Sequence, residues 1–152
     1  MGNKWSSAVV AAVMVAGLGA AASPAQAGDW TPGQKCVEYA NGIEKCAGMM
    51  EYEGPVALAW AWVKDTDGTR LRVRTRVNEM QWQTDDGWRV VARRAMRRGF
   101  WPDAQGIDRS KECGQMPRGT YRSRAKIEWR RPGGRVHTTW ITSYGVRKGE
   151  VC

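Results

Sequence analysis

The sequence predicts an all-β fold: a small, disulfide-linked β-sandwich of about seven strands behind an N-terminal signal peptide. Three observations predict it. Apolar and polar residues alternate with period two along much of the chain. Turn-forming clusters interrupt that alternation at hairpin spacing. Four cysteines, Cys36, Cys46, Cys113 and Cys152, all lie beyond an export pattern, where oxidation favours disulfides.

The first residues set the compartment. Lys4 supplies a positive charge, Ala8 to Ala22 is an apolar run, and Ser23-Pro24-Ala25-Gln26-Ala27 ends in an A-x-A pattern. This is the layout of a secretory signal over residues 1–27, with cleavage after Ala27 and a single mature domain over 28–152. The apolar run is shorter than the roughly 20 residues that a membrane helix needs, so a secreted, extracellular protein without a membrane span is expected.

The elements follow in order. Cys36-Val37-Glu38-Tyr39-Ala40-Asn41-Gly42-Ile43-Glu44-Lys45-Cys46 reads as a hairpin. A three-residue loop, Ala40 to Gly42 with Gly42 left-handed, places Cys36 directly opposite Cys46, within reach of a disulfide. Cys113 and Cys152 then form the second bridge, tying down the C-terminus. Val56 to Val63 alternates Leu58, Trp60 and Trp62 with Ala57, Ala59 and Ala61. A strand apolar on both faces belongs inside a packed sheet. Asp65-Thr66-Asp67-Gly68 turns into a strand with Leu71, Val73, Thr75 and Val77 on one face and Arg70, Arg72, Arg74 and Arg76 on the other, continued by Met80 and Trp82. Asp85-Asp86-Gly87 turns again. The segment from Trp88 to Arg98 fits a helix or a strand, and its place behind a hairpin turn favours the strand. Gly99 to Gly119 has no periodicity and reads as a long loop. Tyr121 to Trp129 and Val136 to Tyr144 flank Arg131-Pro132-Gly133-Gly134 as a last hairpin. Gly119-Thr120-Tyr121, at a strand start, resembles the tyrosine corner of immunoglobulin-like sandwiches, which makes that arrangement one form the fold could take.

Chemistry is sparse. His137 is the only histidine, it lies in a strand pattern, and no G-x-S-x-G elbow accompanies it. Asp85 and Asp86 are turn residues, Glu51 and Glu53 share a strand face, and Met49-Met50 looks like core. The sequence is therefore read as that of a non-enzymatic protein without cofactor or metal. There is no C-x-x-C pair to begin a zinc site.

Charge carries more information. Gly28 to Thr69 holds three lysines against seven acids, a net of −4, whereas Arg70 to Gly149 holds 17 arginines and three lysines against seven acids, a net of +13. The asymmetry points to a basic face for an anionic partner: a cell-envelope polymer, a nucleic acid or an acidic protein. The candidate binding residues are Arg70, Arg72, Arg74, Arg76, Trp82, Trp88, Arg89 and Arg93. Guanidinium forks would hold anions, or would instead stack on tryptophan faces within the domain. The alternative function is inhibition of an extracellular hydrolase by the loop around Arg118, where Pro117-Arg118 follows a tethering cysteine.

Overall fold

The computed structural model describes residues 31–39, 42–96, 99–102 and 104–152. The predicted signal over residues 1–27 and the new N-terminus at Gly28 lie outside the described residues. The first hairpin joins β1 (Lys35–Tyr39) to β2 (Ile43–Tyr52). Tyr39 faces Ile43, Cys36 faces Cys46, and the two cysteines are bonded. Gly42 takes φ 74°, as a three-residue loop requires. A side chain there would also collide with the Asp67 carboxylate.

The chain continues as a meander into β3 (Val56–Asp65). β7 (Ala104–Glu112) closes the far side of β3, giving a four-stranded sheet in the order β1-β2-β3-β7. Immunoglobulin domains send their second and third strands to opposite sheets; here β2 and β3 are neighbours in one. The other sheet has six strands. Its main path is β10 (Val146–Arg147), β8 (Thr120–Arg130), β4 (Arg72–Thr84), β5 (Gly87–Ala95). β6 (Trp101–Pro102) pairs with β4, and β9 (His137–Thr142) pairs with β8. The described residues form ten strands where about seven were expected; the two-residue β6 and β10 carry too few side chains to announce themselves. Cys113–Cys152 is the second disulfide, across a separation of 39 residues.

Trp88 to Ala95 is strand, as its place behind a turn suggests. The expected long loop over 99–119 is corrected: it contains β6, β7 and the 3-10 turn Cys113–Gln115. β7 is an edge strand held through its backbone to β3. Between Gln105 and Lys111 only Ile107 is buried. A strand that buries one side chain leaves no period-two signature.

The pattern along β4 is also corrected. Thr75 pairs with Ile127 and Val77 with Lys126, so Arg76 is an extra residue in a bulge. A one-residue shift exchanges the two faces of a strand. Before the bulge Leu71, Val73 and Thr75 face the core; beyond it Asn78 and Met80 are buried and Trp82 packs inward.

Two apolar clusters fill the interior. One gathers Ile43, Ala47, Ala61, Val63, Leu71, Val73, Ala125, Ile127 and Ile141. The other gathers Met49, Ala57, Ala59, Met80, Cys113, Met116, Tyr121, Val146 and Val151. Polar groups join the sheets between them. The Asn78 amide donates to the Ala59 carbonyl at 2.8 Å and to that of Ile107 at 3.3 Å. Ser123 Oγ lies 2.9 Å from Asn78 Oδ1 and 3.0 Å from the Trp60 carbonyl. Lys45, also turned inward, donates to Thr139 Oγ1 at 2.9 Å and to the Trp140 carbonyl at 3.0 Å. Asn78→Ala strips partners from several buried groups at once and should cost about 2–3 kcal/mol. Urea melts of the oxidised domain would read this as a lower midpoint at an unchanged slope. A loss under about 0.5 kcal/mol would mean that water substitutes for the amide.

The start of β8 is pinned by Tyr121, whose hydroxyl donates to the Pro117 carbonyl at 2.7 Å. This is the upstream backbone bond of a tyrosine corner. Burial raises the pKa of that phenol.

Candidate functional site

The outer face of the six-stranded sheet collects the basic residues. Alternation along β8 turns Tyr121, Ser123, Ala125 and Ile127 inward. Arg122, Arg124, Lys126, Glu128 and Arg130 take the opposite side. On β4, Arg72 is paired with Arg130, Arg74 with Glu128, Glu79 with Arg124 and Gln81 with Arg122. Directly opposed residues share a face, so the two strands build one surface of crossed rows. β5 adds Arg93 beside Glu79, and β9 adds Trp140 beside Lys126.

Aromatic rings hold the guanidinium groups in place. Arg122 lies over Trp88 at 3.9 Å from the ring centroid, and Arg124 over Trp140 at 4.2 Å. Arg74 and Arg130 both lie against Phe100, at 4.3 and 4.5 Å. Such contacts are worth about 0.5–1 kcal/mol each at exposed sites. They occupy the flat face of the guanidinium, while its N–H donors lie in the plane and at the edge.

Two shielded carboxylates answer part of the charge. Glu128 accepts from Arg74 at 2.5 Å and lies 3.8 Å from Lys126. Glu79 lies 3.8 Å from Arg93 and accepts from the Gln81 amide at 3.0 Å. Gln81 in turn accepts from Arg122 Nε at 2.9 Å, so Glu79, Gln81, Arg122 and Trp88 form one chain of contacts. Among the described residues, no carboxylate forms an ion pair with Arg72, Arg122, Arg124 or Arg130. Burial, together with the charge of Arg124 beside it, lowers the pKa of Arg122 below the ordinary arginine value.

The residues expected from sequence divide. Arg72, Arg74, Trp88 and Arg93 share this surface. Arg76 occupies the bulge and donates to the Met96 carbonyl. Arg70 stands before the strand with φ 57°, in a turn fixed by Asp65, which accepts from the Leu71 and Asp67 amides at 3.0 and 3.3 Å. Trp82 packs against the core, and Arg89, its partner across the β4–β5 pair, is exposed at the sheet edge. Four residues missed by the sequence reading, Arg122, Arg124, Lys126 and Arg130, are central. The signal for the first three was the strict alternation Tyr121-Arg122-Ser123-Arg124-Ala125-Lys126-Ile127. Phe100 and Trp140 gave none, since only pairing brings them beside arginines.

Elsewhere, Asp85 and Asp86 are exposed in the β4–β5 turn, and Glu53 lies in a turn and not on the strand of Glu51. Cys36, Glu44 and Cys46 bring ligand-type atoms within 4.8 Å of one another, but both sulfurs are spent in the disulfide. Arg118 is exposed beside two occupied carbonyls: that of Pro117 takes the Tyr121 hydroxyl, and that of Met116 takes Lys148 Nζ at 2.6 Å. No helix among the described residues is long and apolar enough to cross a membrane. In sequence the chain matches no protein-family model and no curated protein.

Proposed function

We propose that this domain is a secreted, non-catalytic module that binds an extended anionic polymer on the outer face of its six-stranded sheet. One observation carries the reading: Arg72, Arg122, Arg124 and Arg130 share that face with no carboxylate pairing with them among the described residues. Crowded like charges repel, and a polyanion laid across them removes the repulsion. Side chains two apart on a strand stand about 7 Å from one another and adjacent strands about 5 Å apart. A chain of repeated charges therefore meets several guanidinium groups at once, whereas a compact anion meets one or two. The ring contacts favour the same partner. A side chain already ordered against an indole loses less freedom when it binds, and a guanidinium edge matches phosphate or sulfate in a bidentate fork.

Binding through such a face is governed by counterion release. If about four charges are neutralised, affinity for DNA, heparin or a poly(glycerol phosphate) should fall about a hundredfold between about 50 and 200 mM salt. A filter or bead assay over a salt series measures the slope. Wild-type protein without salt-sensitive binding to any of the three polymers would end the reading.

A further inference from the structure

At one end of the sandwich, the β8–β9 hairpin and the β3–β4 turn flank a half-open cavity of about 430 Å³ lined by Leu71, Trp129, Arg131, Gly134, Arg135 and His137. Its position follows from register. Trp129 and His137 are the last cross-strand pair of β8 and β9, and Ile127, one step inward, already belongs to the core. The two rings stack at 5.5 Å between centroids and 18° between planes. Both rings line the cavity as a stack, each covering one face of the other, and Leu71 adds an aliphatic floor that is 4% exposed. The Leu71 amide donates to the Asp65 carboxylate at 3.0 Å, which fixes that floor.

The rim is cationic. Arg131 and Arg135 bracket the turn closed by the bond from the Gly134 amide to the Arg131 carbonyl at 2.9 Å. Both side chains are exposed. Among the described residues, no carboxylate lines the cavity. Asp67, on the facing turn, accepts from the Thr69 amide at 3.0 Å. Hydrogen bonding from the Thr69 side chain and then its amide, with a smaller contribution from Arg131, holds the Asp67 pKa below the ordinary value.

From this geometry we infer that the cavity binds a small planar aromatic anion: its ring packs against the Trp129–His137 stack and its acid group is taken by Arg131 and Arg135. The volume falls within the usual range for small-molecule sites, and an apolar lining with a few convergent polar groups is their usual composition. Either a carboxylate or a phosphate suits the guanidinium forks. The site is independent of the polymer-binding reading, since neither Arg131 nor Arg135 takes part in the face described above.

His137 is the only histidine, so its ring resonances report on this cavity alone. In histidine-labelled oxidised protein at constant pH, 2-naphthoate and 2-naphthyl phosphate should shift those resonances saturably. The neutral 2-naphthamide should bind at least about tenfold more weakly, because it forfeits the charge-assisted bonds. Arg131→Gln with Arg135→Gln should weaken both acids about tenfold or more and leave the amide unchanged, with the backbone amide spectrum showing that the domain stays folded. The relative affinities of the two acids decide between carboxylate and phosphate. A lack of saturable shift, equal binding of acid and amide, or unaltered acid binding by the folded double variant would overturn the assignment.

Discussion

Replacing Cys113 and Cys152 together by alanine should lower the stability of the domain by about 4 kcal/mol, against about 2.7 kcal/mol for replacing Cys36 and Cys46. The difference comes from the unfolded chain. The Cys113–Cys152 bridge spans 39 residues and the Cys36–Cys46 bridge spans 10, and the entropy a cross-link removes grows with the logarithm of the loop. Burial does not separate the two bridges, since each joins one buried cysteine, Cys113 or Cys46, to an exposed one. Cys113 is buried in the second core cluster with Met116 and Val151, while the first bridge reinforces a hairpin already paired from Lys35 to Tyr39. Domains of this size are stable by about 5–15 kcal/mol, so the longer bridge accounts for a large share of the total. Chemical denaturation of the two double variants gives the comparison directly. If the short-loop variant proves the less stable, strand pairing in β1 and β2 depends on its disulfide in a way that chain entropy does not capture.

Reversing charge at the centre of the basic face, Arg122→Glu with Arg124→Glu, should reduce polymer binding at low salt about a hundredfold. Two charge-assisted contacts of about 1.5 kcal/mol each are lost, and the new acid at position 124 stands directly across from Glu79. The same change removes the contacts with Trp88 and Trp140, at a cost of about 1–2 kcal/mol in stability. Binding and stability must therefore be measured on one sample. In the ligand reading, affinity collapses while the protein remains folded. If these arginines serve only to stack on the indoles, the melting temperature falls and binding per folded molecule does not change. Arg122→Lys with Arg124→Lys separates the two further. It keeps the charge and forfeits the flat guanidinium, so most salt-dependent affinity should survive even though the stacking is weakened. Arg74 is the wrong place for this test, since it pairs with Glu128 and reversing it would strand two like charges close together.

The sequence disclosed the elements whose side chains alternate on a half-buried surface. β3, β8 and the first half of β4 are of this kind, β5 and the β1–β2 hairpin were placed by their turns, and both disulfides follow from a loop length and from elimination. The missed elements are those without such a surface. β7 is held by its backbone to one neighbour and buries Ile107, so its composition resembles that of a loop. The candidate face was half legible for a related reason. Alternation shows that arginines share a side of one strand, and β8 displays this as plainly as β4. It cannot show where an added residue turns a strand over, which is why Trp82 looked continuous with Arg72 and Arg74 although the bulge at Arg76 turns it into the core.

The order of residues along the chain therefore determined the all-β class, the turns, the paired cysteines and the excess of positive charge beyond Thr69. Period two, turn chemistry and cysteine spacing are local properties, readable over a few residues. Only the tertiary structure decided which arginines stand together, which rings hold them and which carboxylates answer them. Arg74 and Glu128 are 54 positions apart, and Phe100 meets both Arg74 and Arg130 from a third segment. Pairing register, set by the burial of a whole sheet face at once, brings such groups into contact, and no local pattern encodes it.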